Sequence, residues 1–155
     1  MAVFAWPLVH DVIWSMLRGV RWSGAGVAVE AECGVGIVRL DHVQLGMPAG
    51  REVEAVAFYA GVLGIPHVPK PDRLAVRGGC WFEDGDLKVH LGVEASFRPA
   101  TKAHPAFIVD DVRAMAAAVA AAGFAVKDDE PLDGFDRVYV SDPFGNRIEL
   151  MQPNA

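Results

Sequence analysis

Residues 136–152, "DRVYVSDPFGNRIELMQ", predict two strands joined by a tight turn. Apolar and polar residues alternate on both sides of an Asp-Pro-Phe-Gly-Asn segment, and Pro and Gly favour turn conformations. In the second strand Ile148 and Leu150 take the core face, so Glu149 points the opposite way. The same alternation places Tyr139 on the non-core face of the first strand. A carboxylate and a phenol are therefore expected on one surface.

A strand and a helix precede this hairpin. The stretch "HPAFIVDD", residues 104–111, alternates as a strand does and begins with His104. A helix is expected next, because Asp110 or Asp111 can cap its first turn and Gly123 stands where a helix ends. Its apolar residues recur at helical spacing, at Val112, Met115, Val119 and Ala122. A short strand in "FAVKDD" completes the order strand, helix and three strands.

The preceding part of the chain predicts the same order. The stretch "VRLDHVQLGM", residues 38–47, reads as a strand with His42 on its polar face. A helix is expected from about Arg51 to the stop at Gly64. Its predicted apolar face is Val53, Val56, Ala60 and Leu63. Short strands follow around His67, Ala75 and Trp81, then an "EDGD" turn and the strand "LKVHLGV" with His90 at its centre.

The spacing of the polar residues supports this repeat. His90 follows His42 by 48 residues, and Glu149 follows His104 by 45 residues. The sequence thus predicts two βαβββ modules, residues 37–94 and 102–153, within a domain of residues 37–153. The fold class is α+β, a curved mixed sheet with the helices outside. The faces that carry the four polar residues then line a trough.

Four residues are candidate metal ligands. Two imidazoles and one carboxylate, His42, His104 and Glu149, suit a first-row divalent ion and leave positions open for a substrate. Taken singly, each residue is more often a solvent-facing or hydrogen-bonded side chain. Their matching places in two modules favour the metal site. His90 also points away from the core, and it could be a ligand, a base beside the metal or a packing residue.

Other side chains on the polar face carry further hypotheses. Tyr139 can orient or protonate a substrate, or cover apolar surface at the rim of the trough. Arg147 shares the strand face of Glu149 and can pair with an anionic substrate or with Glu149 itself. Without a metal, the trough could sequester a planar ligand between aromatic walls. The candidate walls are Trp81, Phe82 and Phe135.

Composition restricts the partners. The chain has 155 residues, 52% hydrophobic and 22% charged, which is typical of one folded domain. Its net charge of -6 disfavours nucleic acid. His10, Asp11 and Arg18 interrupt the first apolar stretch, so no membrane span is expected. Cys33 and Cys80 are too few for a disulfide framework, and free thiols in the cytoplasm are expected.

Residues 1–36 are expected to form a poorly packed extension, with a short amphipathic helix at residues 8–18 and a Gly-rich linker at residues 24–36. A chain that starts near Gly36 should therefore melt at close to the temperature of the full chain, because the extension offers little periodic apolar surface to bury. Thermal melts of both proteins test this, and a large fall in the melting temperature would place the segment in the core.

Four stretches carry a family resemblance that covers about residues 40–152. "LDHVQL", "FYAGVLGI", "HPAFIVDD" and "DPFGNRIEL" resemble the signature stretches of the vicinal oxygen chelate superfamily. This group includes glyoxalase I, fosfomycin-resistance proteins, bleomycin-binding (bleomycin resistance) proteins and extradiol dioxygenases. The resemblance implies one divalent ion, Fe, Mn, Ni, Co or Zn, at His42, His104 and Glu149. It also implies a homodimer, because relatives of this size often complete the trough with two chains.

The resemblance also implies an activity. The ligand set is that of a metal-dependent lyase, isomerase or small dioxygenase that binds a small substrate through two neighbouring oxygens. Glu149 or His90 is expected to transfer a proton, with Tyr139 as a further catalytic candidate. The position equivalent to the fourth ligand holds His90, whereas bacterial glyoxalase I carries Glu there, so strict lactoylglutathione lyase activity is not implied. The alternative is a binding protein of the bleomycin-resistance kind, whose members lack the metal ligands.

Overall fold

In the computed structural model, residues 20–23, 26–29 and 36–154 are described. The chain divides into two units, residues 1–39 and 40–155.

The first unit contains a β-hairpin. Strands β1 (Val20–Ser23) and β2 (Gly26–Val29) pair in antiparallel fashion, and Val20 lies opposite Val29. Part of the predicted Gly-rich linker is therefore a strand. The helix predicted at residues 8–18 lies outside the described residues. The weak packing of the extension stays a prediction.

The second unit begins with a module whose strands come from alternating apolar residues. Its sheet has the order β3-β6-β5-β4, in which β3 runs parallel to β6 and the other neighbours are antiparallel. The strand predicted as "LKVHLGV" forms with the expected bounds. The elements are β3 (Val43–Met47), α1 (Glu52–Val56), a π-helix (Ala57–Val62), β4 (His67–Val68), α2 (Asp72–Ala75), β5 (Trp81–Asp84) and β6 (Leu87–Val93).

The second module repeats this arrangement. Its sheet has the order β7-β10-β9-β8, again with the first and last strands parallel. The elements are β7 (Ala106–Ile108), α3 (Val112–Ala121), β8 (Val126–Asp128), β9 (Phe135–Ser141) and β10 (Arg147–Pro153). The α+β class and the two βαβββ modules are thereby confirmed, and each module has its own four-stranded sheet.

Helix α3 follows the sequence closely. Of the two candidate caps, Asp111 is used: its Oδ1 accepts hydrogen bonds from the backbone N–H groups of Arg113 and Ala114, at 3.0 and 2.9 Å. Gly123 follows the helix with a φ of 87°, a conformation that favours glycine at a helix end. The helix packs its buried residues against the sheet of its own module.

The first helix differs from the prediction. Val53 was expected on the core face but is 83% exposed, whereas Phe58 and Tyr59 are fully buried. The buried residues Ala55, Phe58 and Tyr59 keep helical spacing among themselves, but they lie on a different side of the helix from Val53. A π-helical turn follows, in which the N–H of Leu63 donates to the carbonyl of Phe58 at 2.9 Å.

The strand predicted around Ala75 is also wrong. Ala75 ends the short helix α2, which follows Pro71. The carbonyl of Pro71 accepts hydrogen bonds from the N–H groups of Leu74 and Ala75, at 2.8 and 3.0 Å. These local hydrogen bonds close a helical turn in place of the predicted strand.

A buried polar network joins the two modules. The hydroxyl of Tyr59 donates to Asp142 Oδ2 at 2.9 Å, and burial raises the pKa of Tyr59 well above its usual value. Asn146 Nδ2 donates to Asp142 Oδ2 at 2.8 Å and to the Gly46 carbonyl at 2.9 Å. Nearby, the rings of Phe58 and Phe124 pack edge to face with their centroids 4.7 Å apart. The β9–β10 turn is thereby fixed against β3 and the first helix.

Candidate functional site

Strand register places the predicted site residues in matching rows. In the first module Gln44, His90 and Trp81 lie side by side across three strands. In the second module the matching row is Ala106, Glu149 and Tyr139. His42 and His104 each precede the first residue of their row by two positions. The repeat predicted from the sequence is therefore also present in the strand register of the two modules.

His42 and His90 form the first pair. Their rings stack with centroids 4.4 Å apart, and the Trp81 ring stacks on His90 at 4.2 Å with an angle of 9° between the planes. His90 is buried, and its Nε2 lies 3.1 Å from Glu83 Oε1. Because a carboxylate accepts, Nε2 is the protonated nitrogen of His90 and Nδ1 keeps its lone pair.

His42 has its own carboxylate partner. Its Nδ1 lies 2.9 Å from Asp41 Oδ1, and Lys88 Nζ donates to Asp41 Oδ2 at 3.1 Å. The hydrogen bond from His42, followed by the contact with Lys88, lowers the pKa of Asp41. Asp41 is thus an ionised acceptor, so Nδ1 of His42 carries the proton and Nε2 keeps its lone pair.

His104 and Glu149 form the second pair. His104 Nε2 lies 3.2 Å from Glu149 Oε2, while His104 Nδ1 donates to the Lys102 carbonyl at 2.8 Å. A carbonyl can only accept, so the neutral His104 keeps its lone pair on Nε2, the atom that faces Glu149. The Tyr139 ring packs edge-on against His104 at 5.2 Å.

The second oxygen of Glu149 binds an arginine. Arg137 Nη1 donates to Glu149 Oε1 at 2.7 Å, and this hydrogen bond is the largest cause that raises the pKa of Arg137. Of the two pairings left open for Arg147, the one with Glu149 does not form. The guanidinium of Arg147 lies over the Tyr139 ring instead, 4.8 Å from its centroid. Arg137 reaches Glu149 because it is the diagonal neighbour across β9 and β10.

Within the chain, the four predicted ligands therefore form two separate pairs, His42 with His90 and His104 with Glu149. Within residues 36–154, no group of three or more His, Cys, Asp and Glu side chains is arranged to hold a metal ion. His42 and His104 nevertheless border the same hollow of about 360 Å³, beside Leu40, Pro105 and Phe107. In the part of the chain that the structure describes, β3 is one of the two outer strands of its sheet, and β7 is one of the two outer strands of the other.

The donor atoms suit a divalent first-row ion. The neutral tautomers of His42 and His104 both keep the Nε2 lone pair, and their Nδ1 atoms are held by a carboxylate and a carbonyl. Such partners behind a ligating imidazole orient the ring and fix its tautomer. Glu149 adds an oxygen, so an imidazole and carboxylate set is available. His90 can offer an ion only its Nδ1, because its Nε2 is hydrogen-bonded to Glu83.

Residues 39–150 match the family described as the Glyoxalase/Bleomycin resistance protein/Dioxygenase superfamily. The chain belongs to this superfamily. Among curated proteins no match to the chain is found. The helices of the described residues include none long and apolar enough to cross a membrane.

Solved structures of the superfamily's fold resemble this chain. A glyoxalase family protein from Bacillus anthracis is 46% identical over 77% of this chain and 98% of its own, with a TM-score of 0.73. The fosfomycin resistance protein FosX from Listeria monocytogenes is 19% identical over 77% and 96%, with a TM-score of 0.61. TnmS3, an antibiotic binding protein from Streptomyces sp. CB03234, is 23% identical over 77% and 99%, with a TM-score of 0.60. The last two show the fold alone.

Two charged residues of the site were not selected from the sequence. Arg137 holds Glu149, and Glu83 holds His90. Both alternate with core residues of their strands, so each could be placed on the trough face of a superfamily module. Their contacts depend on the register between neighbouring strands, which the alternation of a single strand does not specify.

Proposed function

We propose that this chain is a metal-dependent, glyoxalase-like enzyme of the lyase, isomerase or small dioxygenase type. Its ligands for one divalent ion, Fe, Mn, Ni, Co or Zn, are His42, His104 and Glu149, with His90 as the fourth. The single observation that carries the proposal is the pair of His104 and Glu149: His104 Nε2 lies 3.2 Å from Glu149 Oε2, while His104 Nδ1 lies 2.8 Å from the Lys102 carbonyl. The substrate is a small molecule with two neighbouring oxygens, and the enzyme works in the cytoplasm.

The bound ion supplies Lewis-acid stabilisation of the negative charge that develops on a substrate oxygen. The chain's own residues supply position and proton transfer. Glu149, whose Oε1 accepts from Arg137 and whose Oε2 faces His104, is the proposed proton acceptor because a carboxylate is a suitable base for this role. Tyr139 is proposed to orient the substrate, since its ring packs on His104 and its hydroxyl accepts from Arg137 at 3.3 Å.

A homodimer completes the site in this proposal. The first module of one chain would pair with the second module of its partner, and His42 and His90 would then meet the partner's His104 and Glu149. The edge strands β3 and β7 support this, because in the described residues each has a strand neighbour on one side alone, and such edges tend to pair with another chain. Apolar side chains lie at both edges: Leu40 is 77% exposed and Ile108 is 63% exposed.

Metal analysis of the purified, untagged protein tests the proposal. We expect one divalent ion per chain after incubation with Fe, Mn, Ni, Co or Zn salts and removal of excess. His104→Ala should lose bound metal, because it removes a ligand nitrogen of the site. His67→Ala is the matched control, since His67 is exposed on β4 and should bind metal as wild type does. A wild-type protein that holds none of these ions would refute the metal function.

His90 has a test of its own. If it is the fourth ligand, His90→Ala should lower metal affinity by at least about 10–100-fold, the range for loss of a residue that supports a ligand. Competition with a chelating dye measures the affinity. Wild-type affinity and stoichiometry in His90→Ala would leave a site of three residues. In that case His42 could bind the ion while its ring stays stacked on the ring of His90.

The second candidate function is metal-free binding of a planar ligand. The observation that favours it is the nearly parallel stack of the half-buried Trp81 on His90, which presents a flat aromatic surface. Of the other predicted walls, Phe82 is fully buried on the opposite face of β5 and does not line the trough. Stoichiometric metal in the purified protein would favour the enzyme, and ligand binding by the metal-free protein would favour this alternative.

A further inference from the structure

A separate hollow of about 230 Å³ adjoins the row of Gln44, His90 and Trp81 in the first module. Among the described residues, no Asp or Glu side chain lines this hollow. An ammonium, a guanidinium and an indole can donate hydrogen bonds but cannot accept them, so the lining is rich in donors. The polar side chains of the lining are Gln44, Lys70, Arg77 and Trp81.

A glycine makes room for the amide of this lining. Gly92 follows Leu91 on β6 and therefore lies on the same face of the strand as His90. A Cβ atom at position 92 would lie 2.9 Å from Gln44 Nε2, so a larger residue there would displace the amide. The Gln44 amide thus lies against the backbone of β6, at the border of the hollow that Trp81 also lines.

The two cations come from the segment between β4 and β5. Lys70 is half-buried, and its ammonium donates to the Gly78 carbonyl, which leaves two further donors. Arg77 is exposed, and its guanidinium has no hydrogen-bond or ion-pair partner among the described residues. The carboxylate of Glu52 accepts from the N–H of Gly79 at 3.0 Å but does not line the hollow. The planar donors of Arg77 are therefore available to a pair of oxygens.

We propose that this hollow binds an oxyanion, a carboxylate or phosphoryl group, at one end of a flat ligand. Arg77 and Lys70 offset its charge, and the Gln44 amide donates to one of its oxygens. The Trp81 ring, stacked on His90 at 4.2 Å, packs against the apolar group that carries the oxyanion. That this ligand is the substrate rests on the proposed function, and the substrate then has an acidic group besides its two neighbouring oxygens.

The test titrates benzoate, phenyl phosphate and the neutral benzyl alcohol into isotope-labelled, full-length protein. The indole N–H signal of Trp81, assigned with Trp81→Phe, reports binding by nuclear magnetic resonance. We expect at least one anion to bind at least about 10-fold more tightly than the alcohol, because hydrogen bonds to a charged group are the stronger ones. The anion that binds more tightly identifies the group as carboxylate or phosphoryl.

Variants assign the binding to the hollow. Arg77→Met should weaken anion binding by at least about 10-fold, and Arg77→Lys should recover part of it, since it keeps the charge without the planar donors. Arg73→Met is the matched control and should bind as wild type does. It removes an exposed arginine of the same segment that does not line the hollow.

The titrations are repeated after the protein has been treated with a chelator and dialysed. Arg77-dependent anion binding without metal supports the oxyanion site even if the metal function is refuted. Equal affinity for the alcohol and both anions, absence of saturable anion binding, or wild-type affinity in Arg77→Met would overturn the inference. If Arg77→Met does not fold, Gln44→Leu should weaken anion binding by about 3-fold or more, because it removes one donor. An unchanged affinity in that variant would also count against the oxyanion site.

Discussion

A mixed dimer of His42→Ala and His104→Ala chains is expected to bind metal at one of its two sites, although neither variant binds metal alone. In the proposed dimer each site takes His42 and His90 from one chain and the partner's His104 and Glu149. One site of the mixed dimer then lacks both altered histidines, and the other has all four ligands. Two differently tagged chains, exchanged in mild denaturant and purified as the mixed species, allow the metal per dimer to be counted.

The control for this experiment combines two changes in the same module. His104→Ala and Glu149→Gln both alter the second module. Each site of their mixed dimer therefore has one altered second module, and metal binding should not return. Recovery with the first combination and none with the second would support the shared site. If purified mixed dimers of His42→Ala with His104→Ala stay empty, each site belongs to a single chain. The hollow that both histidines border would then be its location.

Asp142→Ala is expected to lower the free energy of unfolding by about 3–4 kcal/mol, because it leaves several buried donors unsatisfied. Asp142 Oδ1 accepts from the N–H groups of Phe144 and Asn146, at 2.9 and 2.8 Å. Its Oδ2 accepts from Tyr59 and from the Asn146 amide, at 2.9 and 2.8 Å. At this chain length the melting temperature should fall by roughly 10 °C.

Urea denaturation measures this change, with Asp128→Ala as the matched control. The Asp128 side chain is 79% exposed and pairs with Arg113, so its removal should change the free energy of unfolding by no more than about 0.5 kcal/mol. A loss below about 1 kcal/mol in Asp142→Ala would mean that the network does not hold the modules together. Tyr59→Phe keeps the ring and removes one donor, and it should cost less than Asp142→Ala.

Most elements of the fold could be predicted because each segment of the sequence keeps either the two-residue period of a strand or the 3.6-residue period of a helix. Strand β6 and helix α3 have strict alternation or strict helical spacing, and both form close to the expected bounds. The first helix has apolar residues on more than one side, and the side that carries Phe58 and Tyr59 is buried in place of the predicted one. The local pattern does not distinguish these sides, because the choice between them depends on tertiary packing.

The candidate site could be predicted in part for a related reason. Alternation places Glu149 and His90 on the polar face, and the repeat relates them to each other. Alternation alone cannot say that Arg137 binds Glu149 or that Trp81 covers His90, because both contacts cross between strands. The convergence of all four ligands remains a prediction, since it depends on how modules associate.

The two matching rows place different side chains at equivalent positions, and this has a consequence for any molecule that lies along the sheets. His90 pairs with Trp81 in the first row where Glu149 pairs with Tyr139 in the second. One row therefore offers a ligand an imidazole and an indole, and the other offers it a carboxylate and a phenol. A duplicated scaffold with equivalent strand registers can in this way distinguish the two ends of a small molecule.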